Sequence, residues 1–173
     1  MNLIEKFKQI TTFILDVDGV LTDGTVYVFE NGEQVRRMSI KDGFALQLAV
    51  KKGYRILVIS GSNSPAVVNR LKKLGITDIF MNVLDKRALV AQYISDHKLQ
   101  KDEVLCMGDD VPDCVALKES GLPVAPADAV QEVKKIALYV TQAKGGEGCV
   151  REVMEKVLKL NGHWELETDI PSR

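Results

Sequence analysis

The chain has 173 residues, a length that suits one domain (1–173), and 46% of them are hydrophobic, enough to bury a substantial core. A formal net charge of −1 provides no field that would draw it to nucleic acid or to an anionic membrane. The longest apolar runs, such as Ile56 to Ile59, are far too short to span a bilayer, and Met1–Lys6 lacks the basic-then-apolar order of a signal peptide.

Cys106, Cys114 and Cys149 are odd in number and widely spaced, so buried thiols are expected rather than a disulfide framework. The two histidines, His97 and His163, lie in no Cys/His cluster, which argues against zinc. These features describe a cytoplasmic globular protein.

Taken in chain order, the first predicted strand is Thr12–Leu15, and it runs into Asp16-Val17-Asp18-Gly19. Side chains alternate along a strand, so Asp16 and Asp18 share a face at its tip. Two carboxylates there repel unless a cation or a proton sits between them. The pair suits a nucleophilic aspartate, a neighbouring general acid and a magnesium ion. By themselves these four residues read better as a strand ending in an Asp-Gly turn, a reading that loses once Ser60, Lys86 and Asp109 are placed.

Next, Thr25–Phe29 and Glu33–Met38 flank Glu30-Asn31-Gly32, a hairpin signal outside the alternating plan of the rest. A helix is expected over Gly43–Lys52, then a strand over Arg55–Ile59 closed by Ser60-Gly61. A hydroxyl and exposed backbone N–H groups at such a turn can cradle phosphate. Ser64-Pro65 opens the helix Pro65–Leu74 as N-cap and first-turn proline.

The strand Asp78–Met81 precedes a helix over Lys86–His97, which places Lys86 at its start. The strand Val104–Met107 leads into Gly108-Asp109-Asp110-Val111-Pro112-Asp113, and acids clustered at a strand tip commonly hold a hard cation. Helices over Asp113–Glu119, Ala129–Ile136 and Cys149–Leu160 alternate with strands Leu122–Ala125 and Tyr139–Val140, and a tail, 161–173, follows. Val/Ile/Leu-rich strands alternating with helices predict an α/β fold: a doubly wound, mainly parallel, Rossmann-like sheet with helices on both faces and a projecting hairpin at about 25–38.

Asp16-x-Asp18-Gly19, Ser60, Lys86 and Gly108-Asp109-Asp110-x-x-Asp113, in this order, resemble the haloacid dehalogenase superfamily of phosphohydrolases. More narrowly, Asp16 to Gly24, Lys41-Asp42-Gly43, Asp109-Asp110-x-Pro112-Asp113 and Gly145-Gly146-x-Gly148 resemble the 3-deoxy-D-manno-octulosonate 8-phosphate (KDO 8-phosphate) phosphatases, from about residue 10 to residue 160. The resemblance implies phosphate-ester hydrolysis in lipopolysaccharide precursor synthesis. It makes Asp16 the nucleophile, Asp18 the acid and then base, and Lys86 the group that offsets the charge of Asp16 and of the transferring phosphoryl group.

The same resemblance implies a magnesium ion on Asp16, Asp109 and the backbone carbonyl of Asp18, with Asp110 and Asp113 orienting its surroundings or Lys86. Ser60 and Gly61, with Lys86, would bind phosphate. Lys41, Asp42, Gly43, Ser62 and Arg70 would face the substrate. Ser62 departs from the pattern, because relatives carry arginine there, which leaves open a nine-carbon, sialic-acid-type sugar 9-phosphate as substrate.

No cap domain fits between the first and second motifs or between the second and third. The resemblance therefore implies a homotetramer in which hairpins cover neighbouring sites. Val26, Val28, Val35 and Met38 are more apolar than a free-standing hairpin requires, in keeping with that. A non-catalytic oligomerisation module is the remaining alternative, and two strand-tip aspartates weigh against it.

Overall fold

The computed structural model describes residues 2–164 and 169–171. Helix α1 (Leu3–Gln9) comes first and escapes the sequence reading. It is only seven residues long and is started by a capping box between Asn2 and Glu5. Strand β1 (Thr12–Asp16) then enters the molecule with every residue buried.

β1 pairs in parallel with β4 (Arg55–Ile59) on one side and β6 (Val104–Met107) on the other, with Asp16 level with Ile59. β5 (Asp78–Phe80), β7 (Leu122–Ala125) and β8 (Tyr139–Val140) complete a six-stranded parallel sheet in the order β5-β4-β1-β6-β7-β8. The chain winds outward from β1 through β4 and β5, then returns to β6 on the opposite side. The carboxyl end of β1 is therefore the switch point, where such sheets bind ligands.

Alternation along the strands sends side chains into two cores. Phe13, Leu15, Ile56, Val58, Leu105 and Met107 meet α1, α2 (Ile40–Lys51), α3 (Pro65–Lys73) and α7 (Cys149–Leu160). Ile14, Leu57, Ile59 and Cys106 meet α4 (Lys86–Asp96), α5 (Cys114–Leu117) and α6 (Gln131–Ile136). Trp164 packs edge-on against Phe44 at 5.8 Å, with the Arg151 guanidinium over its ring. Among the described residues no helix is long and apolar enough to cross a membrane.

Several boundaries shift by one to three residues, such as α6, which starts at Gln131 and not Ala129, and two of the shifts have clear local reasons. α2 starts at Ile40, ahead of the expected Gly43, because the Ser39 hydroxyl accepts from Asp42 N–H and caps the helix. α5 starts after the expected Asp113, because Pro112 lies in a 3₁₀ turn over Val111–Asp113.

The hairpin forms where expected but is shorter. β2 (Tyr27–Val28) pairs antiparallel with β3 (Gln34–Val35), and a single bridge joins Thr22 to Met38 at its base. Tyr27, Val28, Phe29 and Val35 are all exposed, so no core lies beneath them to extend the ladder. Between β1 and β4 the chain holds only a tight turn, this hairpin and α2.

Candidate active site

The turn after β1 presents the first two acids. Asp16 ends the strand, Asp18 follows in extended conformation, and Gly19 turns the chain at φ +86°. The Thr22 hydroxyl accepts from the N–H groups of Gly19 and Gly24 and closes the loop. Gly145 and Gly146 press against it: a Cβ on Gly145 would fall 2.0 Å from the Gly19 carbonyl oxygen, and one on Gly146 2.4 Å from Asp23 N. The two glycines are needed for that close approach.

Asp16 is almost wholly buried. Lys86, the first residue of α4, donates from Nζ to Asp16 Oδ1 at 2.9 Å and to Asp113 Oδ1 at 2.6 Å. Asp85 caps the helix by accepting from Ala88 N–H, which fixes where Lys86 begins. The other Asp113 oxygen accepts from the N–H groups of Asp109 and Asp110, holding the loop after β6. Carboxylate oxygens of Asp16, Asp109 and Asp113 converge within 4.8 Å of one another.

Three carboxylates against one ammonium leave the cluster with surplus negative charge. Burial raises the Asp109 carboxyl to about 7, with repulsion from Asp113 and Asp16 adding to it. The Asp16 carboxyl is also raised, by burial first and Asp113 next, although Lys86 opposes the shift. Burial by itself would lower the Lys86 ammonium, yet Asp16 and Asp113 hold it above the ordinary lysine value. An all-oxygen donor set with this excess charge fits a hard divalent cation, which would relieve both raised carboxyls.

Asp18 points into the same cavity with a different set of partners. Arg36 Nε donates to Asp18 Oδ1 at 2.6 Å, Arg36 Nη2 lies 3.4 Å from Oδ2, and the Ser62 hydroxyl donates to Oδ2 at 2.8 Å. Ser60 and Ser62 share a 2.9 Å hydroxyl contact. The cavity measures about 550 Å³, and the residues around it include Asp16, Asp18, Ser60, Gly61, Lys86 and Asp109. Ser62, Asp110 and Asp113 line it as well.

Four residues expected to face the substrate do not line this cavity. Asp42 is 1% exposed and accepts from Arg151 N–H at 2.7 Å, so its carboxylate joins α2 to the start of α7. Gly43 is buried within α2, and Lys41 is exposed on its first turn. Arg70 lines a separate hollow of about 290 Å³ between the hairpin and α3, together with Arg36 and Met38. Arg36 is the site residue that the sequence reading overlooked. It lies in no motif and reaches Asp18 across a gap of 18 positions.

Residues 73–153 match a family model described as haloacid dehalogenase-like hydrolase. The chain is similar to the Escherichia coli K12 3-deoxy-D-manno-octulosonate 8-phosphate phosphatase KdsC, 34% identical over 161 residues that span 93% of this chain and 86% of the relative. It also resembles the Moraxella catarrhalis 3-deoxy-D-manno-octulosonate 8-phosphate phosphatase, solved in complex with magnesium, phosphate and KDO. There the TM-score is 0.87 at 31% identity, covering 91% of this chain and 90% of that one. The Yersinia pestis phosphatase of the same name superposes with a TM-score of 0.92 at 31% identity, covering 97% and 91%. On sequence and fold together, this chain belongs to the KDO 8-phosphate phosphatases of the haloacid dehalogenase-like hydrolases.

Proposed function

We propose that this protein hydrolyses the phosphate monoester of KDO 8-phosphate, releasing KDO and inorganic phosphate, in lipopolysaccharide precursor synthesis. The observation that carries the reading is the placement of Asp16 at the switch point, one oxygen on Lys86 and the carboxylate against Asp109. A binding module gains nothing from burying three acids around one lysine, and that charge cluster costs it stability.

With Oδ1 held by Lys86, the other Asp16 oxygen is the one available to attack phosphorus. A new O–P bond forms as the bond from phosphorus to the sugar oxygen breaks, and Asp18 gives its proton to that departing oxygen. Asp18, now a carboxylate, takes a proton from the water that attacks the aspartyl phosphate. Asp16 then leaves as a free carboxylate.

Lys86, the Ser60 hydroxyl and the Gly61 N–H hold the phosphoryl oxygens. Asp16 and Asp109, with Asp18 through its backbone carbonyl, would hold a magnesium ion, which supplies charge neutralisation at the transferring group. Asp113 orients Lys86 and, with Asp110, shapes the loop that carries Asp109.

The exposed apolar hairpin supports assembly into a homotetramer, in which Lys41 and Arg70 come to the substrate across a subunit boundary. We place this activity in the cytoplasm. Phosphate release from KDO 8-phosphate and from a nine-carbon sugar acid 9-phosphate, each with magnesium and with a chelator, tests the reading. Magnesium-dependent release that favours the eight-carbon substrate is expected. Preference for the nine-carbon ester would reassign the substrate, and no release from either would remove the enzymatic reading.

A further inference from the structure

We infer that Arg36 of the hairpin is a positioning residue for Asp18 of its own subunit, so that the hairpin acts on the acid–base group as well as on assembly. The inference rests on the role given to Asp18 above. The Arg36 side chain is 5% exposed, which is unusual on a projecting hairpin whose apolar residues face solvent. Arg36 lines the hollow between the hairpin and α3, whereas Asp18 lines the catalytic cavity, so the pair joins the two.

Nε and Nη2 of Arg36 address the two Asp18 oxygens, and the Ser62 hydroxyl completes the grip on Oδ2. A guanidinium fork fixes the plane of a carboxylate in a way that an ammonium cannot. Oδ2 is thereby filled by two donors, whereas Oδ1 accepts only from Nε and keeps one lone pair on which the proton for the cavity can be carried.

The neighbouring Arg37 turns the opposite way, donating to Asp23 at 2.8 Å and to Glu147 at 3.0 Å, and anchors the base of the hairpin. That surface pair can be lost without moving Asp18. Arg36 cannot, because no other cation among the hydrogen bonds and ion pairs of the described residues reaches Asp18. Misplacing a reacting group by about 1 Å costs on the order of a hundredfold in rate.

A general acid matters in proportion to how poor the leaving group is. An alkoxide needs its proton, whereas 4-nitrophenolate departs without one. The value of kcat/KM reports steps only through leaving-group departure, so it isolates the acid role from the later hydrolysis. The test measures it for 4-nitrophenyl phosphate and for glycerol 2-phosphate, an alkyl ester with no carboxylate to recognise, in Arg36→Met, Arg36→Lys and Asp18→Asn.

Arg36→Met should lose about thirtyfold more on the alkyl ester than on the aryl ester, with Arg36→Lys recovering part of that difference and Asp18→Asn showing the same selectivity more strongly. Equal losses on both esters would make Arg36 merely structural and overturn the inference, as would no loss on either. Loss confined to KDO 8-phosphate, with glycerol 2-phosphate unaffected, would make Arg36 a sugar-binding residue and also overturn it. Were Asp18→Asn itself indifferent to leaving group, the reading of Asp18 would fall and this inference with it.

Discussion

Gly19 leaves open the space in which the Asp109 carboxylate stands: a Cβ on Gly19 would lie 2.0 Å from Asp109 Oδ2. The Asp16 and Asp109 motifs thus meet by direct contact, and the glycine of the Asp-x-Asp-Gly turn is required by a residue ninety positions away. Gly19 also sits at φ +86°, where a side chain adds backbone strain of about 1–2 kcal/mol. Gly19→Ala should push Asp109 out of the carboxylate cluster, weakening magnesium binding at least about tenfold and lowering turnover by about a hundredfold. Calorimetric titration of magnesium, alongside steady-state rates, checks both. Unchanged metal affinity would show that Asp109 does not hold the ion.

Asp42 yields a prediction of the opposite kind, about stability and not catalysis. Burial raises its carboxyl from 3.8 to about 6, against the opposing N–H groups of Arg151 and Gly148, and Oδ2 is buried with no donor at full hydrogen-bond geometry. The folded chain therefore holds this proton more tightly than the unfolded chain. The stability it contributes is fully present below about pH 4 and is lost as the pH rises through 6. Asp42→Asn stays neutral throughout, so its stability relative to the parent should improve between pH 4 and 7.5 by on the order of 3 kcal/mol. Urea denaturation at the two pH values measures the difference, and a constant offset would contradict the assignment.

The sheet was legible because its strands are short Val/Ile/Leu runs closed by polar residues, a pattern set locally. Arg55–Ile59, Val104–Met107 and Leu122–Ala125 have the boundaries their sequences predict. The candidate-site residues Asp16, Ser60, Lys86 and Asp109, which the fold brings to one cavity, were legible because each ends or follows a strand.

What escaped depends on distant partners. Lys41-Asp42-Gly43 reads as pocket chemistry, yet Asp42 is bound to Arg151, 109 residues on. Arg36 has no local signal at all, since its meaning lies in the fold of the hairpin back over the Asp18 turn. The hairpin itself reads longer than it is, because β propensity in Thr25–Phe29 and Glu33–Met38 is not matched by anything to pack on.

The exposed hairpin carries the prediction on assembly. Val26 and Val28 are 43% and 68% exposed in the single subunit. Replacing both with glutamate would place unpaired charge in the proposed subunit contact, at a cost of several kcal/mol per site to order of magnitude. Sedimentation should show a tetramer for the parent and smaller species for the double variant, which should keep hydrolysis of 4-nitrophenyl phosphate but lose preference for KDO 8-phosphate. A parent that sediments as a monomer with full selectivity would sink the tetramer.

The most direct test of the account concerns Asp16. The parent enzyme, mixed with KDO 8-phosphate and magnesium and quenched in acid, should carry one phosphoryl group that peptide mass spectrometry places on Asp16. Asp16→Asn, verified as undeamidated and folded, should carry none and should release no phosphate above background. Turnover near the parent rate in that variant, or a phosphoryl group on any other residue, would contradict the account.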